Sequence, residues 1–183
     1  MDTRVQGVVV LDREGQRVLS RHYGEAPIAG SDVESQRRLE TSLFTKVVRS
    51  KAALHDVDIL LHQQGDSVVV TAARVVEDVV LLVLGDSSAN EPLLAEFANG
   101  LLDALRLLLH DDVSRASLLS HMSLLLIVLD EMIEDGLMVE TDGHKVEERV
   151  NAPGSDFSAP TVGSANEPTL LNAVSSLARS FWG

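Results

Sequence analysis

Residues 124–142 constrain the fold of this chain more than any other segment. Six consecutive apolar residues, 124–129, run directly into a cluster of carboxylates and then a glycine: Asp130, Glu131, Glu134, Asp135 and Gly136. Because glycine is favoured just past a helix end, we expect a helix over 114–135 that ends here.

A helix that is apolar on every side must be buried on more than one side. The carboxylates would lie in its last turns, where the helix dipole disfavours negative charge. Two interpretations therefore stay open. The helix belongs to an assembly whose partner supplies cations, or it is an ordinary core helix with a solvated acidic end.

The composition indicates a globular chain whose core is built from aliphatic side chains. Of its 183 residues, 45% are hydrophobic and only 3% aromatic. The formal net charge of -13 argues against non-specific nucleic-acid binding, which requires clustered cations. With no cysteine, disulfides and thiolate sites are excluded. We expect a cytosolic protein, since the apolar run before Asp12 is only four residues long and no apolar run approaches a membrane span.

Hydrophobic periodicity predicts an antiparallel sheet flanked by helices. The apolar strands 8–11 and 79–84 should be central, and the more polar strands 16–23 and 57–61 should lie at the edges. The remaining elements are a strand at 67–76, helices at 33–50, from Asn90 to about 109 and at 114–135, and a short helix at 143–150.

The predicted organisation is a domain over 1–150, a flexible linker over 151–168 and an amphipathic helix over 169–183. The linker contains three of the five prolines. The last segment places Leu170, Val174, Leu177 and Phe181 on one side.

The sequence contains no candidate catalytic, cofactor-binding or metal site. No two of the six histidines have the spacing of a zinc motif. The carboxylates of Asp130 and Glu134 have helical spacing, but such pairs are more often a solvated face than an acid–base site. The loop at 85–88 lacks the lysine and glycine spacing of a phosphate-binding loop.

The helix over 33–50 and the residue after it carry a third of all lysines and arginines. These are Arg37, Arg38, Lys46, Arg49 and Lys51. In a chain of negative net charge they form a local basic face, which either docks an acidic partner, faces a membrane or balances acidic loops of the same chain.

Several motifs resemble the adaptor small chains of vesicle coats, and among them the zeta chains of coatomer, the COPI coat. Residues 8–19 resemble that family's first hairpin, and Leu39-Glu40, Leu43-Phe44 and Lys46 resemble its first helix. The loop 85–91 and above all residues 129–142 are also similar. The resemblance covers about residues 5–150. It departs in the third to fifth strands, where aliphatic residues replace the family's aromatic ones.

The resemblance implies an α+β, longin-like fold: a five-stranded, mostly antiparallel sheet with helices on both faces. It also implies a non-enzymatic small subunit of the COPI coat, which binds the trunk of the gamma coatomer subunit directly. Other coatomer subunits, recruitment by an Arf-family GTPase, peripheral association with Golgi membranes and Golgi-to-ER retrograde and intra-Golgi transport follow as expectations. No cofactor and no nucleic acid are implied.

The residues expected at the partner interface come from the acidic helix and from the basic helix. They are Leu125, Leu129, Asp130, Glu131, Met132, Glu134, Arg38, Lys46 and Arg49. Alternative functions are a sigma small chain of a clathrin adaptor complex and a longin-type scaffold or regulator of a small GTPase. A small hydrolase that uses the acidic cluster ranks last.

Overall fold

A computed structural model describes residues 4–24 and 32–152 of the chain. In chain order, the strands and helices are β1 Gly7–Asp12, β2 Arg17–His22, α1 Val33–Ser50, β3 Asp58–Gln64, β4 Ser67–Val76, β5 Val79–Gly85, α2 Glu91–Leu108, α3 Arg115–Ser120, α4 Met122–Met132, β6 Ile133–Glu134, β7 Leu137–Met138 and α5 Gly143–Val150. A short 3-10 helix, Ala52–Leu54, follows α1.

The five long strands form one antiparallel sheet in the order β2-β1-β5-β4-β3. Every residue of β1 and β5 is buried. The prediction that these two apolar strands are central, with β2 and β3 at the edges, is confirmed. β3 is longer than predicted, because its residues pair in register with β4 up to the turn at Gly65.

Helices cover both faces of the sheet, so the predicted fold class is confirmed. Alternate residues of β1 point to opposite layers, as the pleat of a strand requires. Val9 and Leu11 pack in the layer of α1, with Leu43. Val8 and Val10 pack in the opposite layer, where α2, α4 and α5 contribute residues that include Phe97, Leu101, Leu129 and Val146.

Side-chain caps fix where the helices begin. The Asp32 carboxylate accepts a hydrogen bond from the Ser35 amide at 2.8 Å, and α1 spans the predicted range. Asn90 caps α2 in the same way through the Leu93 amide. After α2 the chain turns through positive φ at His110 and Asp111, where the sequence predicted a break.

The helix predicted over 114–135 is corrected by the structure. It is divided into α3 and α4, and α4 ends at Met132. Asp135 and Gly136 have positive φ, 49° and 83°, and form a two-residue turn between β6 and β7. An Asp-Gly pair is a strong hairpin signal, and here the hairpin takes precedence over a helical end. The Val5 amide then donates to the Gly136 carbonyl at 2.8 Å.

The last described helix, α5, ends at Val150 and is capped by Asn151. The predicted domain over 1–150, linker over 151–168 and amphipathic helix over 169–183 stay predictions, and residues 153–183 lie outside the described residues.

Candidate partner-binding surface

The apolar side chains predicted to contact a partner from the acidic helix are core residues. Leu125, Leu129 and Met132 of α4 are 1%, 0% and 0% exposed. They belong to the core layer that α4 shares with α2 and α5. This placement removes these three side chains from a partner surface in the present conformation.

A second apolar row on the same helices remains open to solvent. Leu119 of α3 and Leu126 of α4 are 45% and 36% exposed. The sequence contains two adjacent apolar seams on this stretch, and periodicity alone does not say which one the sheet covers. The exposed seam leads toward Asp130, which lies one helical turn after Leu126.

At the end of α4, Asp130 pairs with Arg21 of β2. The Arg21 guanidinium carbon also lies 5.4 Å from the centre of the Tyr23 ring. Arg21 and Tyr23 share one face of the chain because they are two residues apart in an extended segment. Arg21 of the same chain therefore supplies the cation beside Asp130 at this helix end. Sequence reasoning missed this pair, because its two residues are 109 positions apart and no local pattern joins them.

Glu131 and Glu134 differ from Asp130 because neither forms an ion pair within the described residues. Glu131 is half-buried in the last turn of α4, and Glu134 is exposed on β6. Both line an open groove of about 490 Å³ beside this helix end, which we call the acidic groove. Its lining residues are Arg21, Tyr23, Asp130, Glu131, Ile133, Glu134, Asp135, Val139 and Arg149.

Tyr23 lines the acidic groove and is only 8% exposed. Burial raises the pKa of its hydroxyl to about 12; Asp130 adds to this effect and Arg21 opposes it. The hydroxyl oxygen finds no hydrogen-bond partner among the described residues. The groove therefore combines unpaired carboxylates with an uncharged ring, and this combination favours a cationic, partly apolar partner.

The basic residues of α1 form a separate surface. Arg37, Arg38, Lys46 and Arg49 line a shallow groove of about 510 Å³ together with three hydroxyl side chains, Thr41, Ser42 and Thr45. Arg38 pairs with Glu34 one turn earlier, and the Lys46 ammonium donates to the Leu61 carbonyl at the edge of the sheet. The surface remains basic because Glu40, the acid within this stretch, is turned inward.

The structure does not bring the two sets of predicted interface residues together. Arg38, Lys46 and Arg49 belong to α1, on one face of the sheet, whereas Asp130 and Glu131 belong to α4, on the other. Any single small partner reaches only one of these surfaces. A partner that contacts both has to extend around an edge of the domain.

No group of three or more histidine, cysteine, aspartate or glutamate side chains among the described residues is arranged to hold a metal ion. Within the same residues, no helix is long and apolar enough to cross a membrane.

Comparison with known proteins gives the family. Residues 4–156 match the family model described as clathrin adaptor complex small chain. The chain belongs to this adaptor small-chain family. The resemblance inferred from the hairpin, the first helix and residues 129–142 is thereby confirmed.

Curated relatives in the family carry the name coatomer subunit zeta. Coatomer subunit zeta-1 of Arabidopsis thaliana is 28% identical over 177 residues, covering 97% of this chain and 96% of that protein. Coatomer subunit zeta-1 of Homo sapiens is 30% identical over 152 residues, covering 83% and 79%.

A solved-structure comparison supports the fold alone. A chain in a homology model of the full-length AP-3 complex in a stretched open conformation aligns with a TM-score of 0.58 at 14% identity, covering 98% of this chain and 99% of that one.

Proposed function

We propose that this adaptor small chain is the zeta subunit of the COPI coat and acts by assembly rather than by catalysis. The observation that carries the proposal is the match to coatomer zeta chains over nearly the full length of both proteins. Within the proposal, its direct partner is the trunk of the gamma coatomer subunit. Other coatomer subunits and an Arf-family GTPase act through that complex.

The charges of the described surface support binding to a basic, partly apolar partner. The exposed seam of Leu119 and Leu126 supplies apolar area, and the free carboxylates of Glu131 and Glu134 lie beyond its end. Rim charges of this kind direct the approach and orientation of a partner, while buried aliphatic contacts supply most of the affinity. Under this proposal, the acidic groove and the exposed seam contact the gamma trunk.

The proposed place of action is the cytosolic side of Golgi membranes and COPI vesicles, where the coat supports Golgi-to-ER retrograde and intra-Golgi transport. Association with the membrane would be peripheral and through the assembled coat. The basic α1 surface, with Arg38, Lys46 and Arg49, is available to a further coat subunit on the opposite face of the sheet.

The test is a co-expression and pull-down experiment with two large-chain trunks, one from gamma coatomer and one from a clathrin adaptor. We expect a stable complex with the gamma trunk and at least a tenfold weaker one with the adaptor trunk. A preference for the adaptor trunk would support a sigma chain instead. Binding to neither trunk would contradict an adaptor role for these surfaces.

A double substitution assigns the surface within the same experiment. Leu119→Ser with Leu126→Ser removes exposed apolar area without opening the core, since both leucines are at least one-third exposed. We expect weaker capture by the gamma trunk and an unchanged melting temperature. Val33→Ser with Leu61→Ser is the matched control, because these side chains are 58% and 56% exposed outside the seam.

A further inference from the structure

An apolar groove beside α1 is not used by the proposed assembly surface. Its walls are Phe44 and Val48 of α1, Leu54 of the following 3-10 helix, and Val75 and Val80 of β4 and β5. The cavity holds about 300 Å³. Val48 and Leu54 are 55% and 52% exposed, so large aliphatic side chains face solvent here without contributing fully to the core. We call this cavity the α1 groove.

Two cations, Arg13 and Lys51, stand beside the apolar walls of the α1 groove. Arg13 reaches Asp78 at 3.5 Å, whereas Lys51 forms no ion pair within the described residues. Lys51 also has a φ of 57°, at the position after α1 where glycine is favoured. The chain therefore holds a free ammonium group at the groove in a backbone conformation that lysine adopts at a cost.

The C-terminal sequence of the same chain has matching chemistry. Glu167 is followed by Leu170 and Leu171, and further apolar residues continue to Phe181 and Trp182. Beyond residue 152 the sequence contains only two acids and one arginine, so few charges oppose burial. We propose that residues 167–182 dock in the α1 groove of their own chain.

In this arrangement, Leu170 and Leu171 fill the apolar groove and Glu167 lies near Lys51. A short peptide with one acid beside bulky aliphatic residues fits a small apolar cavity with a cation at its edge. The exposed walls at Val48 and Leu54 would then be covered, which also explains why they are apolar.

The length of the chain allows this contact. From residue 153 to residue 170 the chain has 18 residues, which span up to about 60 Å when extended. A domain of about 150 residues has a radius of gyration near 15 Å and is roughly 40 Å across. The segment can therefore pass from the end of α5 to the opposite face of the sheet. Because it is tethered, its effective concentration at the groove is on the order of millimolar.

Disulfide trapping tests the proposal directly, because the chain has no cysteine of its own. The full chain carries Leu54→Cys with Leu171→Cys, alone and in complex with the gamma trunk. The control carries Leu61→Cys with Leu171→Cys. Leu54 and Leu61 are 52% and 56% exposed, but only Leu54 lines the groove. We expect the first pair to close about tenfold faster than the control, as a monomeric cross-linked product on a non-reducing gel.

Each other outcome overturns the proposal. Equal rates for the two pairs would mean that the segment has no preference for the groove. A cross-linked dimer whose yield rises with concentration would assign the groove to a second copy. No cross-link in either pair, free or in the complex, would leave the groove to a separate acidic and aliphatic peptide.

A charge variant separates docking from folding. Lys51→Gly removes the ammonium group and relieves the left-handed backbone at the end of α1. We expect the melting temperature to stay the same or rise, while trapping through Leu54→Cys slows by about two- to fivefold. Glu167→Gln should slow it by a similar factor. A Lys51→Gly variant that traps at the original rate would contradict the contribution of this charge.

Discussion

Arg17 of β2 holds the carboxylate of Glu40 of α1 at two points. The Arg17 Nε donates to Glu40 Oε2 at 3.0 Å, and its Nη2 lies 2.8 Å from Oε1. The Glu40 side chain is only 7% exposed. This contact ties α1 to the edge of the sheet and directs the acid of a basic stretch inward. The outer surface of α1 is basic as a result.

We expect Arg17→Met to lower the free energy of unfolding by about 3 kcal/mol, because it leaves a buried carboxylate without its cation. Urea denaturation of the full chain measures this loss. The matched control is Arg38→Met, which breaks an ion pair whose side chains are both about three-quarters exposed. The free energy of unfolding of that variant should fall by less than about 0.5 kcal/mol. Equal losses in the two variants would contradict a stabilising role for the Arg17–Glu40 pair.

The parts of the fold that the sequence predicts are those with local signals. Asp32 and Asn90 cap helices whose starts are predicted correctly, and two fully apolar strands could only be central. The predicted end of α4 was wrong, because Asp135-Gly136 is compatible both with a helix end and with a hairpin turn. Pairing of Arg4–Val5 with the hairpin, which is distant in sequence, decides between them.

The candidate surface was less predictable than the fold. Charged positions such as Glu131 and Arg49 are recognisable from the sequence, because they interrupt apolar stretches or cluster by sign. Burial of Leu125 and Leu129 rather than Leu126 depends on how α4 packs against α2, which periodicity does not encode. The pairing of Arg21 with Asp130 joins residues 109 positions apart and has no local signal.

A close helix crossing depends on Gly100 of α2. A Cβ atom at this position would lie 1.8 Å from the carbonyl oxygen of Thr141, just before α5. In an open helix, Gly→Ala gains up to about 1 kcal/mol, but this overlap is with backbone and cannot be relieved by a rotamer change. We expect Gly100→Ala to destabilise the domain by about 3 kcal/mol or more in thermal or urea unfolding.

The control for the crossing is Asn99→Ala, on the exposed side of the same helix. It should change stability by less than about 0.5 kcal/mol. A stabilised Gly100→Ala variant would mean that α2 and α5 lie further apart than the structure indicates.

Tyr23 gives the chain a specific sensitivity to alkaline pH. Burial raises the pKa of its hydroxyl from 10.0 to about 12. The fold therefore favours the neutral phenol. Its contribution to stability is complete below pH 10 and is lost as the pH rises to 12, by about 2 kcal/mol. Urea unfolding at pH 9, 10.5 and 11.5 measures the slope.

The comparison that isolates this effect is Tyr23→Phe, which should lose less stability than the original chain between pH 9 and 11.5. Because the hydroxyl makes no hydrogen bond among the described residues, the substitution should cost little at pH 7. Tyr23 is the only tyrosine, so phenolate absorbance reports its titration directly. Titration of the native chain near pH 10 would contradict the burial.

The last prediction separates the two kinds of carboxylate in the acidic groove. The double variant Glu131→Gln with Glu134→Gln removes two charges that have no ion pair in the described residues. Asp130 is kept, because Asp130→Asn would break its ion pair with Arg21. If the groove faces the basic partner that we propose, the double variant should bind the gamma trunk about three- to tenfold more weakly at low salt, with the difference shrinking as salt screens the charges.

The control, Asp66→Asn with Glu148→Gln, changes the net charge equally at exposed positions elsewhere and should bind normally. Melting temperatures of both double variants should match the original chain, because each substituted side chain is exposed or half-buried and is isosteric with its replacement. Unchanged affinity of the Glu131 and Glu134 variant at both low and moderate salt would exclude the acidic groove from the interface.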